Sequence, residues 1–219
     1  MMKRIAALVL LPLLLTGCGD AREASVLSPV SAAALSNDAT GLQLTVETVW
    51  QDSTEGKATP QYLTAEAATI PNLFASATNN VGGEFYFSHA QAFIIDEATA
   101  RNGLLPLCTY LCDRHDARLG IRLVVARGAK ANEVLRAWAP GGEIPGLALG
   151  RMLSQGKKRG SGVDMPLFRF LNLLLSGQNV RTALPAVSVG IDGEAVPAGL
   201  ALFEGDRLVG FSDGGANDA

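Results

Sequence analysis

An apolar run of about eleven residues (5–15) follows Lys3-Arg4 and ends in Leu15-Thr16-Gly17-Cys18, and it decides how much of this chain can belong to a folded domain. The run is too short to cross a bilayer as a helix, which takes about 20 residues. It has the order of a secretory leader: basic start, apolar middle, small residues before the cut. Leucine, two small residues and cysteine make a lipobox. Small side chains let the chain enter a signal peptidase in extended form. The Cys18 thiol is the nucleophile there that can accept a diacylglyceryl group as a thioether. The expectation is cleavage between Gly17 and Cys18, acylation of the palmitate type on Cys18, and a lipoprotein held on the extracytoplasmic face of a membrane. Two acyl chains, at about 0.8 kcal/mol per buried methylene, would make that anchor stable.

With residues 1–17 set aside as a signal peptide, roughly 200 remain, enough for one sizeable core. A formal net charge of −3 gives no electrostatic reason to expect nucleic acid as a partner. Three cysteines, one of them in the lipobox, exclude a disulfide-rich scaffold.

Residues 18–40 are small and polar and read as a flexible tether. Residues 41–212 read as the domain and 213–219 as a disordered tail. Within the domain, 42–50 alternate as a half-buried strand, with Leu42, Leu44, Val46 and Trp50 on one side and Thr45 and Glu47 on the other. A polar loop (51–60) and a second strand (61–67) follow. Thr69 caps a helix that has Pro71 in its first turn. Residues 90–95 form a strand, Asp96 caps a helix closed by Gly103, and 104–113 form another helix. Residues 121–126 (Ile-Arg-Leu-Val-Val-Ala) are the clearest buried strand. Helices are expected over 132–138, about 144–154 and 166–175. A strand at 186–191 and a hairpin, 198–203 with 207–211, close the domain. Strands in mixed order among several helices predict an α+β (mixed α/β) fold with a mixed sheet of about five or six strands.

Motifs for hydrolases, zinc proteases and phosphate loops are absent. Cys108, Cys112, His115 and Asp116 are the candidate metal cluster. Zinc sites prefer shorter cysteine spacing in two pairs, so the favoured reading keeps both cysteines as small core residues and His115 exposed. His89 reads as a turn residue. The basic run Gly156-Lys157-Lys158-Arg159-Gly160 reads first as a solvated loop. Alternatively, Lys157, Lys158 and Arg159 touch anionic headgroups, at about 1 kcal/mol each. No catalytic residue, metal or cofactor is assigned.

Several short segments fall in a familiar order. Cys18-Gly19-Asp20-Ala21-Arg22-Glu23 stands where one family carries Cys-Trp-Asp-x-Arg-Glu, and Glu66-Ala67-Ala68-Thr69 stands where it starts a helix. His89, an apolar strand and the acidic, Ala-rich 96–103 come next. Arg114-His115-Asp116 follows, then 121–128, 131–135, Ala183-Leu184-Pro185, and 199–203 with Leu208-Val209-Gly210. The ordered set resembles the C subunits of GerA-type spore germinant receptors, the Ger(x)C lipoproteins. The family's usual first strand is replaced here by the Ala-rich 32–38. Members run on past the Val-Gly landmark, so the N-terminal domain alone is expected.

The resemblance implies a non-enzymatic membrane lipoprotein that acts in spore germination. It would sit on the outer leaflet of the inner spore membrane beside the integral membrane A and B subunits. Cys18 is the one functional residue that carries over. The alternative is a small-molecule binding or other envelope lipoprotein of an unrelated pathway.

Overall fold

The computed structural model describes residues 27–38, 41–51, 56–81, 84–159, 162–177 and 180–213. Residues 1–26, with the expected leader and lipobox, and residues 214–219, the expected tail, lie outside them.

The strands are β1 (Leu27–Asp38), β2 (Gly41–Gln51), β3 (Ala58–Ala67), β4 (Glu84–Tyr86), β5 (Ala92–Ile95), β6 (Arg122–Ala126), β7 (Arg181–Val189), β8 (Ala195–Glu204) and β9 (Arg207–Ser212). The helices are α1 (Ile70–Val81), α2 (Glu97–Asn102), α3 (Leu105–Asp113), α4 (Ala131–Arg136), α5 (Pro145–Lys158) and α6 (Leu167–Leu175). One mixed sheet runs β3-β2-β1-β5-β6-β7-β8-β9, and β4 pairs with β1 off that path. Strands β1, β5, β6 and β7 are mutually parallel, and antiparallel pairs flank them on both sides. The α+β class is as expected, but the sheet is larger than five or six strands.

The difference lies mostly in β1. The chain 27–38, expected to be tether, is a central strand in which Val30, Ala32, Ala33, Ala34 and Leu35 are buried. Its Ala and Ser content has low strand propensity, yet burial decides. Ala33 and Leu35 join the core on one face and Ala32 and Ala34 the core on the other. The same alternation runs through β5 (Phe93 and Ile95 against Ala92 and Ile94) and β6 (Leu123 and Val125 against Val124 and Ala126). Strands buried on both faces are typical where helices cover both sides of a parallel sheet. One face is covered by α1, α3 and α6, through Phe74, Leu107, Leu111 and Phe170. The other is covered by α4 and α5, through Val134, Leu135, Leu149 and Leu153.

Strand β2 is buried on both faces rather than one: Thr45 and Glu47 are as enclosed as Leu44 and Val46. Strand β7 begins at Arg181, before the expected 186. It tolerates Pro185 because its pairing with β8 shifts register between Pro185 and Val187, and proline is accepted in sheets at such irregularities. The expected caps are present. The Asp96 carboxylate accepts from the Thr99 N–H (2.8 Å), and Thr69 Oγ1 accepts from the Asn72 N–H (3.4 Å). The start of α3 is capped from far along the chain. Asp206, in the β8–β9 turn, accepts the Leu104 N–H on its carbonyl (2.9 Å) and the Leu105 N–H on its carboxylate (3.0 Å).

No helix among the described residues is long and apolar enough to cross a membrane.

Candidate functional site

Two polar centres lie on the face covered by α4 and α5, and α5 joins them. The first is Glu47, fully buried in the middle of β2. Its carboxylate accepts hydrogen bonds from the Ser31 hydroxyl, from the Gly146 N–H (2.8 Å) and from the Tyr62 hydroxyl (2.9 Å). The Arg136 guanidinium lies over the Tyr62 ring at 4.4 Å. Burial raises the Glu47 pKa, and the three hydrogen bonds only partly offset it. Burial, with the Glu47 charge close by, also raises that of the Tyr62 hydroxyl. Gly146 is in the first turn of α5, so Glu47 supplies an acceptor to a helix start that has no local side-chain cap. A carboxylate with no exposed surface has no route to a solute. Its work is to pin α5 to β1 and β2.

Gly146 and Gly150, four apart, place one face of α5 on the sheet. A Cβ on Gly146 would lie 2.6 Å from the Ala32 Cβ, and one on Gly150 would lie 2.7 Å from the Gln91 Cβ. Ala32, Ala92 and Arg122 are level across β1, β5 and β6. From Gly146 at Ala32, α5 passes Gln91 and brings Ser154 to Arg122 (3.0 Å). It therefore crosses the strands where β5 and β6 begin, level with the middle of β1.

The C-terminal turn of α5 delivers the second centre, a notch of about 280 Å³ lined by Arg122, Lys157, Asp164, Phe168 and Arg169 with Gly120 and Pro166. Asp164 binds the Arg122 guanidinium (3.0 Å) and the Lys157 ammonium (3.1 Å). Arg118 lies against Gly120, which lines the notch: a Cβ on Gly120 would lie 3.3 Å from its Nε. Phe168 is 48% and Leu119 43% exposed, and the Phe168 N–H donates to the Leu119 carbonyl at 3.0 Å.

Of the expected site residues, Gly17 and Cys18 lie outside the described residues. Lys157 and Lys158 are the last residues of α5 and Arg159 caps it, so the expected 156–160 loop is helix through Lys158. All three are exposed, and Lys157 already has Asp164 as partner. Cations at a helix C-terminus also suit its dipole. Cys108 is buried, and burial, with Asp206 and Cys112 beside it, pushes its thiol up to about 12. Cys112 is exposed, against the expectation that both cysteines fill the core. Asp116 pairs with Arg114 (2.7 Å) and His115 is exposed. Among the described residues no group of three metal-ligating side chains forms. His89 is exposed in a 3₁₀ turn, its ring 5.9 Å from that of Tyr86.

Sequence reasoning missed Glu47, Arg122, Asp164 and Arg169 as members of these centres. The available signal for Glu47 was a lone carboxylate between Val46 and Val49 in a strand. Asp164 and Arg122 are 42 residues apart, and no spacing rule joins them.

A search of curated proteins and one of solved structures returned no match. A family profile, the spore germination protein N-terminal domain, matches residues 20–189, which take in both polar centres. The expected family is therefore found, and the chain belongs to the spore germination protein N-terminal domain family, the N-terminal domain of germinant-receptor C subunits.

Proposed function

We propose that the protein is the membrane-anchored C subunit of a nutrient germinant receptor, held by lipid on Cys18 and working with integral membrane A and B subunits during spore germination. The family match over residues 20–189 carries the reading, because it begins two residues after the lipobox cysteine. Anchoring confines the domain to a plane and raises its effective concentration beside membrane partners. The role is positional, not enzymatic: the polar centre at Glu47 is buried, and Asp164 in the second centre is held in ion pairs with Arg122 and Lys157. The inner spore membrane, extracytoplasmic side, is the proposed location.

The test is Cys18→Ala in the native spore, followed by membrane fractionation after a high-salt wash, which removes peripheral electrostatic binding, and a germination assay. The anchored reading expects the variant to leave the membrane fraction and germination to weaken. A variant that stays in the membrane, with normal germination, refutes it.

A further inference from the structure

We infer that the sheet end where β1, β5 and β6 begin is a membrane-docking face. There the cations around the Asp164 notch engage anionic lipid headgroups, and Phe168 with Leu119 enters the interface. The inference takes its orientation from the anchored reading above. It extends the headgroup contact expected of Lys157, Lys158 and Arg159 to residues that only the fold brings beside them.

Charge is the first support. Arg122, Lys157 and Arg169 line the notch with one carboxylate, Asp164, and Arg118 lies against Gly120 at its edge, on a chain whose formal net charge is −3. Asp164 is 15% exposed and is held by Arg122 and Lys157. Arg118 and Arg169 form no salt bridge within the described residues, nor do Lys158 and Arg159, which adjoin Lys157. All four are exposed.

Apolar exposure is the second. Phe168 and Leu119, among the large hydrophobic residues left exposed, lie next to each other and beside these cations. An aromatic and an aliphatic side chain ringed by Arg and Lys suit a headgroup boundary, where the rings leave water and the cations meet phosphate. A purely electrostatic partner would have no use for the exposed phenyl ring.

Position is the third. Strands β1, β5 and β6 are parallel, and Ala32, Ala92 and Arg122 are level. Leu27, where β1 starts, is five residues before Ala32, roughly 16 Å further toward the same end of the sheet. The chain thus enters the domain from the end that carries the cationic notch. Leu27 is nine residue steps from Cys18, a reach of about 30 Å at most. Lipid on Cys18 would hold this end, and not the opposite one, toward the bilayer.

The test uses the mature chain from residue 18 with Cys18→Ser, so that no acyl group contributes. Sedimentation is measured with vesicles of equimolar phosphatidylglycerol and phosphatidylcholine, and with pure phosphatidylcholine. The unlipidated protein is expected to partition onto the anionic vesicles and to come off with added salt. Each cation near such a surface changes partitioning about fivefold, so Arg118→Ser with Arg169→Ser should weaken it roughly 25-fold. Phe168→Ser should weaken it several-fold while leaving the salt dependence in place. All these side chains are exposed, and an unchanged Tm verifies that the variants fold. Absence of binding to anionic vesicles overturns the inference, as does binding that the double variant leaves unaltered. Retention of inorganic phosphate without vesicle binding overturns it too, in favour of a soluble anion. Because the probe is unlipidated, the result is independent of the Cys18→Ala fractionation: either reading can fail while the other stands.

Discussion

Helix α5 carries three glycines, Gly146, Gly150 and Gly156, and the structure gives Gly→Ala opposite signs at its two ends. A Cβ on Gly146 would stand 2.6 Å from the Ala32 Cβ, 2.6 Å from Glu47 Oε1 and 3.1 Å from the Ala32 backbone nitrogen. Carbon pairs settle at about 3.5–4.0 Å, so α5 must lift from β1 by roughly 1 Å. Ala32 has no exposed surface and lies in a central strand, so it cannot give way. Overpacking of this kind costs about 1–3 kcal/mol. Lifting the helix also weakens the Gly146 N–H bond to buried Glu47, and an acceptor left short costs about 1–3 kcal/mol more. The gain in helix propensity from alanine returns at most about 1 kcal/mol, leaving a net loss of about 1–5 kcal/mol. At Gly156 the added carbon meets, among the described residues, only the Gly162 Cα, at 3.9 Å, so Gly156→Ala should gain about 0.5–1 kcal/mol. Urea melts with equal m-values convert midpoints to these differences. The Tm should fall by roughly 2–20 °C for Gly146→Ala, at about 2–4 °C per kcal/mol for a chain of this size. If Gly146→Ala is neutral or stabilising, α5 is not seated on β1 through that glycine, and the placement of its C-terminal cations at the sheet edge loses its basis.

Other tests follow from the same geometry. The buried Glu47 carboxyl has its pKa raised from 4.5, so the native state holds a proton that the unfolded state releases. Its contribution to stability is full below 4.5 and is lost as pH rises through the raised native value. Wild type minus Glu47→Gln stability, from urea melts across pH, should therefore fall with rising pH in that window; a flat or rising difference would contradict the buried placement. Titration of the native protein with a small thiol reagent should find Cys112 reactive and Cys108 silent until urea is added. In the same titration of mature protein, a second fast thiol would expose an unmodified Cys18, against the anchored reading.

Much of the fold was legible in local pattern. The Val-rich run of β6, the Asp96 and Thr69 caps and the turn between β8 and β9 announce themselves within a few residues, because a cap or a buried strand depends on near neighbours. Strand β1 did not, since Ala and Ser in extended chain look the same as a linker. Those residues are small because helices approach that strand closely, and Gly146 against Ala32 is the point of contact. The candidate site divides in the same way. Lys157, Lys158 and Arg159 stand together in the sequence and were visible as a basic run. Arg118, Arg122, Asp164 and Arg169 join them only in space.

The sequence alone therefore carried the helix and strand periods, the ordered landmarks of the family and the expectation of a leader with its lipobox, all of which are written in adjacent residues. Tertiary structure alone decided that an alanine-rich segment becomes the centre of the sheet, that Glu47 is sealed against a helix start, and that cations from separate segments share one end of the domain. Burial and charge clustering are properties of distance in space. Sheet register and the path of α5 set those distances, and no local spacing encodes them.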